Sequence, residues 1–124
     1  MEKKKILIID DEVQFTQMVK MNLEESGEFE VRVENEGVNA IYAIREYKPD
    51  LIFLDVIMPD VDGTQIMEKL REDMVLKDIP VVFLTALVTK EEVGAKGENI
   101  AGRLFLAKPA STAQIVDCIR KNLK

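Results

Sequence analysis

The sequence contains no histidine and no tryptophan, and its one cysteine is Cys118. Without histidine, Ser-His-Asp hydrolysis, histidine-assisted cysteine chemistry and histidine-ligated metal sites are excluded. With Cys118 alone no intrachain disulfide can form, so a secreted disulfide scaffold is not expected. Long hydrophobic runs are also missing. The first apolar run, Ile6 to Ile9, ends in Asp10-Asp11-Glu12 and is too short for a signal-peptide core or a membrane span. Positive charge is in the minority: 17 Lys and Arg against 23 Asp and Glu leave a net charge of −6, poorly suited to holding phosphate backbones. Lys3 to Lys5 read as a solvated start. A soluble, cytoplasmic chain is expected. What is present is an ordinary globular mixture, 47% hydrophobic and 32% charged over 124 residues, enough to build one core. No linker, repeat or low-complexity stretch interrupts it, so residues 1–124 are expected to form a single domain.

Ile6-Leu7-Ile8-Ile9, Leu51-Ile52-Phe53-Leu54, Val81-Val82-Phe83-Leu84 and Leu104-Phe105-Leu106 are short apolar runs bounded by polar or turn residues. That is the pattern of strands covered on both faces. Phe29-Glu30-Val31-Arg32-Val33 alternates instead, as a half-exposed edge strand does. Helical spacing fills the intervals. Phe15, Met18, Val19 and Leu23 predict a first helix with Gly27 as its stop. Val38, Ile41, Tyr42 and Ile44 predict a second, ended by Pro49, and Ile66, Met67, Leu70 and Met74 a third. Ser111 and Gln114 have capping-box spacing ahead of Ile115, Val116, Ile119 and Leu123. Thr89 and Glu92 offer a similar box between the fourth and fifth strands. There Gly94, Gly97 and Gly102 follow, each costing roughly 1 kcal/mol relative to alanine inside a helix, so a short or irregular fourth helix is expected. Strands separated by helices imply right-handed crossovers and a parallel α/β sheet.

In open sheets of this kind ligands sit beyond the carboxyl ends of the strands. Asp10 and Asp11 follow the first strand, Asp55 the third, Thr85 the fourth and Lys108 the fifth. Each has an ordinary reading by itself: an aspartate pair caps a helix, Asp55 and Thr85 end strands, and Lys108-Pro109 is a solvated lysine before a turn. Together they place three carboxylates, a hydroxyl and an ammonium on one rim. Clustered carboxylates repel unless one protonates or a cation relieves them. An oxygen-only set points to Mg²⁺ or Mn²⁺. Such an ion can hold a phosphoryl oxygen, with Thr85 donating to it and Lys108 pairing with it. The set describes a carboxylate that accepts a phosphoryl group.

The stretches Ile8-Ile9-Asp10-Asp11-Glu12, Leu54-Asp55-Val56-Ile57-Met58-Pro59-Asp60-Val61-Asp62-Gly63, Leu84-Thr85-Ala86 and Ala107-Lys108-Pro109 resemble the receiver domain of two-component response regulators, over nearly the whole chain. The resemblance implies a flavodoxin-like (βα)5 three-layer sandwich with strand order 2-1-3-4-5. It implies that Asp55 takes a phosphoryl group from a sensor histidine kinase or a histidine phosphotransfer protein. Asp11, Asp55 and the backbone carbonyl of Ile57 would ligate Mg²⁺ (or Mn²⁺), with Asp10 acting through water. Thr85 and Lys108 would hold phosphoryl oxygens, Phe105 would be the switch aromatic that packs inward when Thr85 moves, and Lys108-Pro109 would be cis. The chain would catalyse only its own phosphoryl transfer and dephosphorylation. With no output domain in residues 1–124, its output would be contact with a downstream protein target or a homodimer, with neither nucleic acid nor membrane bound directly. A stand-alone protein and a piece of a longer regulator or hybrid kinase are both allowed.

Two features depart from the family's pattern. Ile57 and Leu87 are apolar at the positions that tune attack of water on the acyl phosphate, so a long-lived phosphorylated state is expected. The glycine-laden stretch from Gly94 to Gly102 lies on the family's usual partner or dimer face. Two other classes share parts of the pattern. A haloacid-dehalogenase-like phosphatase needs a second acid two residues after its nucleophile, where Ile57 stands. An FMN carrier needs a donor-rich phosphate loop where Asp10-Asp11-Glu12 would repel the phosphate. Met18 and Met21 read as core filling and Cys118 as a half-buried apolar residue. Asp60 and Asp62 read as the loop and cap of the third helix. Gln14, Gln17 and Met21 are candidates for kinase pairing on the first helix.

Overall fold

Alternating strand residues point to opposite faces of a sheet, and here both faces are covered. In the computed structural model, which describes residues 2–86, 99–100 and 103–123, β1 (Lys4–Ile9), β2 (Phe29–Glu34), β3 (Leu51–Leu54), β4 (Val81–Thr85) and β6 (Arg103–Ala107) run parallel in the order β2-β1-β3-β4-β6. This is the expected 2-1-3-4-5 arrangement, with β6 as the fifth parallel strand. A two-residue strand, β5 (Asn99–Ile100), adds antiparallel to the outer edge of β6, Asn99 opposite Leu104. The sequence reading expects no strand there; backbone pairing to an open sheet edge supplies it. The irregular helix expected around Thr89 and Glu92 lies outside the described residues.

Helices α1 (Val13–Glu24), α2 (Ala40–Tyr47), α3 (Gly63–Glu72) and α4 (Thr112–Asn122) cover the sheet. One face buries Leu7, Ile9, Ile52, Leu54 and Phe83 against Ala43 and Ile44 of α2 and Met67 and Leu70 of α3. The other buries Ile6, Ile8, Phe53 and Leu84 against Val19 and Leu23 of α1 and Ile115 and Ile119 of α4. The edge reading of β2 holds, with Phe29 and Val31 buried and Glu30 exposed. Capping boxes start α3 at Asp62 with Gln65 and α4 at Ser111 with Gln114.

Several packing expectations are corrected. A 3-10 turn (Gly37–Asn39) precedes α2, so the helix buries Ala40, Ala43 and Ile44 while Val38 and Tyr42 each stay 67% exposed. The helix stops directly before Pro49, as expected, at a C-cap on Lys48, whose φ of 54° is left-handed and whose N–H donates to Ile44 O. Met74 lies outside α3 and is 78% exposed. There Asp73 Oδ1 accepts from the N–H groups of Val75 and Leu76, a local turn that competes with the helix. Met18 and Met21 are exposed on α1 and fill no core, whereas Cys118 is fully buried. Lys5 is not merely solvated: β1 begins at Lys4, and the Lys5 N–H donates to Asp50 Oδ2 at 2.7 Å. No helix among the described residues is long and apolar enough to cross a membrane.

Candidate functional site

The sheet hydrogen bonding runs one residue past β1, β3 and β6, and this fixes the site. Asp10 N–H donates to Glu34 O, Asp55 N–H to Ile9 O, and Lys108 N–H to Thr85 O, at 2.9–3.0 Å. Residues from four separate strands are thereby held at one edge by rigid backbone. Asp10, Asp55 and Thr85 are buried there. Asp11, Glu12, Asp55, Ile57, Thr85, Ala86 and Lys108 line a single cleft. The Lys108–Pro109 peptide is cis, as expected.

Carboxylate oxygens of Asp10, Asp11 and Asp55 all lie within 4.8 Å of one another. Lys108 Nζ stands 2.6 Å from Asp10 Oδ2, 2.7 Å from Glu12 Oε1 and 3.6 Å from Asp55 Oδ2. Burial, then the charge of Asp10, pushes the Asp55 carboxyl up to about 6, with Lys108 opposing. Burial also raises Asp10, against its contact with Lys108. Burial works against the Lys108 charge as well, but the close carboxylates of Asp10 and Glu12 outweigh it and hold the ammonium above its ordinary value. Asp10 Oδ2 is buried with no well-directed hydrogen bond among the described residues, so its short approach to Lys108 is an ion pair. A buried, under-coordinated carboxylate oxygen within a three-carboxylate cluster fits a hard divalent cation such as Mg²⁺.

Other expected residues fall as follows. Ile57 has its side chain exposed at the cleft mouth. Phe105 is not in the cleft: its half-buried ring stacks on Phe83 at 5.1 Å between centroids, behind Thr85 on β4. Asp62 caps α3, and Asp60 Oδ2 accepts from Val38 N–H. Three residues had no assigned role in the sequence. Glu12 reaches Lys108 across 96 positions of chain. Asn35 Nδ2 donates to Asp10 O and Thr16 Oγ1, bracing the loop after β1. Gly63 sits against Asp55, where an added Cβ would fall 2.1 Å from the Asp55 carbonyl oxygen. Glu12 and Gly63 both stand inside recognisable motifs, and that was the available signal.

Residues 6–120 match the family described as response regulator receiver domain. The chain belongs to that family. This receiver domain is 35% identical over 123 residues to Response regulator Rre1 of Synechocystis sp., covering 95% of this chain and 51% of that protein. To the DNA-binding dual master transcriptional regulator RpaA of the same organism it is 33% identical over 120 residues, covering 97% and 49%. The chain spans about half the length of the curated relatives it matches. Among solved structures, the chemotaxis protein CheY4 of Vibrio cholerae superposes with a TM-score of 0.81 at 26% identity, covering 98% of this chain and all of that one. The receiver domain of Francisella response regulator 1452 gives 0.74 at 30% identity, covering 95% and 93%. The flavodoxin-like fold and the place of the domain in two-component signalling follow, and the phosphatase and FMN-carrier alternatives lose their support.

Proposed function

We propose that this receiver domain is a phosphorylation-activated switch whose acceptor is Asp55. The observation that carries this is the meeting of the Asp10 and Asp11 carboxylates and the Lys108 ammonium around Asp55 at the carboxyl edge of the sheet. An Asp55 carboxylate oxygen forms the new P–O bond as the P–N bond of a phosphohistidine breaks, and the electron pair stays with the imidazole of the donor. Such transfer depends on positioning and charge stabilisation. Asp10, Asp11, Asp55 and the Ile57 carbonyl would hold Mg²⁺ (Asp10 through water), which supplies neutralisation of the phosphoryl oxygens. Lys108 pairs with one phosphoryl oxygen and the Thr85 hydroxyl donates to another. Drawing Thr85 toward the phosphoryl group loosens the wall against which Phe105 stacks, and the ring packs inward. The added charge of about −1.5 to −2 thus biases a packing switch, since Phe105 has no hydroxyl to move a hydrogen bond.

The donor is a sensor histidine kinase or a histidine phosphotransfer protein, paired through the exposed α1 residues Gln14, Gln17 and Met21. The output is contact with a downstream protein or a second copy. DNA binding, named for some relatives, is not expected from a domain of net charge −6. The chemistry is confined to the domain's own phosphoryl group. Ile57 has an apolar side chain that cannot orient an attacking water, as does Leu87, which lies outside the described residues, so the phosphorylated form is long-lived; decay within seconds would contradict this. Incubation with phosphoramidate, whose P–N bond imitates phosphohistidine, followed by borohydride reduction, should convert residue 55 alone to homoserine. Modification elsewhere, or none, would overturn the assignment.

A further inference from the structure

Glu12 is the N-cap residue of α1, yet its side chain makes no capping hydrogen bond. Asp10 Oδ1 accepts from the Glu12 N–H instead. The Glu12 carboxylate turns across the cleft to Lys108 Nζ at 2.7 Å. It thereby gives up the N-terminal dipole of α1, which would favour it. The lysine side chain is 10% exposed and the glutamate 61%, so Glu12 is the solvent-facing lid on a buried ammonium. Asp10 engages Nζ from below and the Phe15 ring lies 4.7 Å from it. Asp55, at 3.6 Å, is the most distant of its three carboxylates.

An ammonium has three N–H donors. One already points to Glu12, and Asp10 holds Nζ as an ion pair at 2.6 Å. Glu12 lines the same cleft as Asp55 and its side chain is exposed, so a phosphoryl donor reaching Asp55 comes close to its charge. Three carboxylates face that one ammonium, and Glu12 neutralises part of its positive charge before the donor arrives. We propose that Glu12 is a charge gate on Lys108, a positioning residue that slows loading of Asp55 by small anionic phosphoryl donors. Without it, small donors would load the switch faster and compete with the kinase. A docked kinase covers the cleft and displaces the gate.

The inference rests on Asp55 being the phosphoryl acceptor. Glu12→Gln keeps an oxygen acceptor at the same reach and removes only the charge. Glu12→Asp keeps the charge on a shorter stem. Acetyl phosphate serves as the probe, at saturating Mg²⁺, with loading followed by intact mass and thermal midpoints checking the fold. Glu12→Gln should load roughly fivefold faster than wild type at low ionic strength, as expected when a dianion nears one exposed charge to about 8 Å in water. The advantage should largely vanish near 1 M salt, where the screening length is about 3 Å. Glu12→Asp should stay near the wild-type rate. A Glu12→Gln rate equal to or below wild type, or an advantage untouched by salt, would overturn the gate while leaving the acceptor assignment standing. Absence of loading on wild type would remove both.

Discussion

Lys108 and Asp10 show what single residues contribute at this edge. Each is nearly buried and each relies on the other, so deleting one strands a charge. Lys108→Ala should destabilise the metal-free protein by on the order of 3 kcal/mol, the usual cost of breaking a buried pair from one side. Adding Asp10→Asn should recover most of that loss in urea unfolding; additive losses would mean the two are not coupled. Cys118 behaves differently because burial outweighs both its Asn122 contact and the Lys121 charge. Burial pushes its thiol up to about 11, above the unfolded value of about 8.5. The stability this contributes is complete below the unfolded value and is lost as pH climbs through about 11, since the unfolded thiol ionises first. Native protein at pH 8 should therefore resist iodoacetamide until denaturant is added; rapid native alkylation would contradict the burial. Asp10, Asp55, Thr85 and Lys108 were legible in the sequence because each ends a strand. The Glu12–Lys108 contact was not, since it closes only when β1 and β6 have folded onto one edge.

At the scale of elements, the start of α3 matters more than its length. Asp62 accepts from Thr64 N–H at 2.8 Å, and Asp62→Ala should cost about 1 kcal/mol without disturbing the site. Gly63→Ala is a different change, because its Cβ would meet the Asp55 backbone at 2.1 Å and the two chains must part. It should cost roughly 2 kcal/mol or more and also slow phosphoryl loading; equal effects of the two variants on loading would refute the close-packing reading. The open edge of β2 is managed by α1. Lys20 Nζ donates to Val31 O at 2.6 Å and Glu24 Oε2 accepts from Val31 N–H at 3.1 Å, standing in for a neighbouring strand. The double variant Lys20→Ala/Glu24→Ala should self-associate with rising concentration in sedimentation, as freed strand edges do. A strictly monomeric double variant would show that the clamp is dispensable. Element types were legible from periodicity, but the stripe of α2 was misread. A 3-10 turn advances the chain by a different angle per residue than an α-helix, and that shift turns Val38 and Tyr42 outward.

For the whole molecule, strand order was legible because short apolar strands alternating with helices permit few right-handed windings. The two-residue β5 was not, since so short a pairing leaves no periodic trace. Folding brings four acidic side chains and one lysine to a common edge of a domain that is already acidic. A sheet with two separate cores can hold such an edge rigid, and it is there that a cation and a phosphoryl group would act together. The measurement that tests this most directly is intact mass after incubation with acetyl phosphate, with Mg²⁺ and with chelator, on wild type and Asp55→Asn. One added phosphoryl group that requires both Mg²⁺ and Asp55 is the expected result. A wild type that stays unmodified where another receiver is loaded, or an adduct that survives Asp55→Asn, would contradict it.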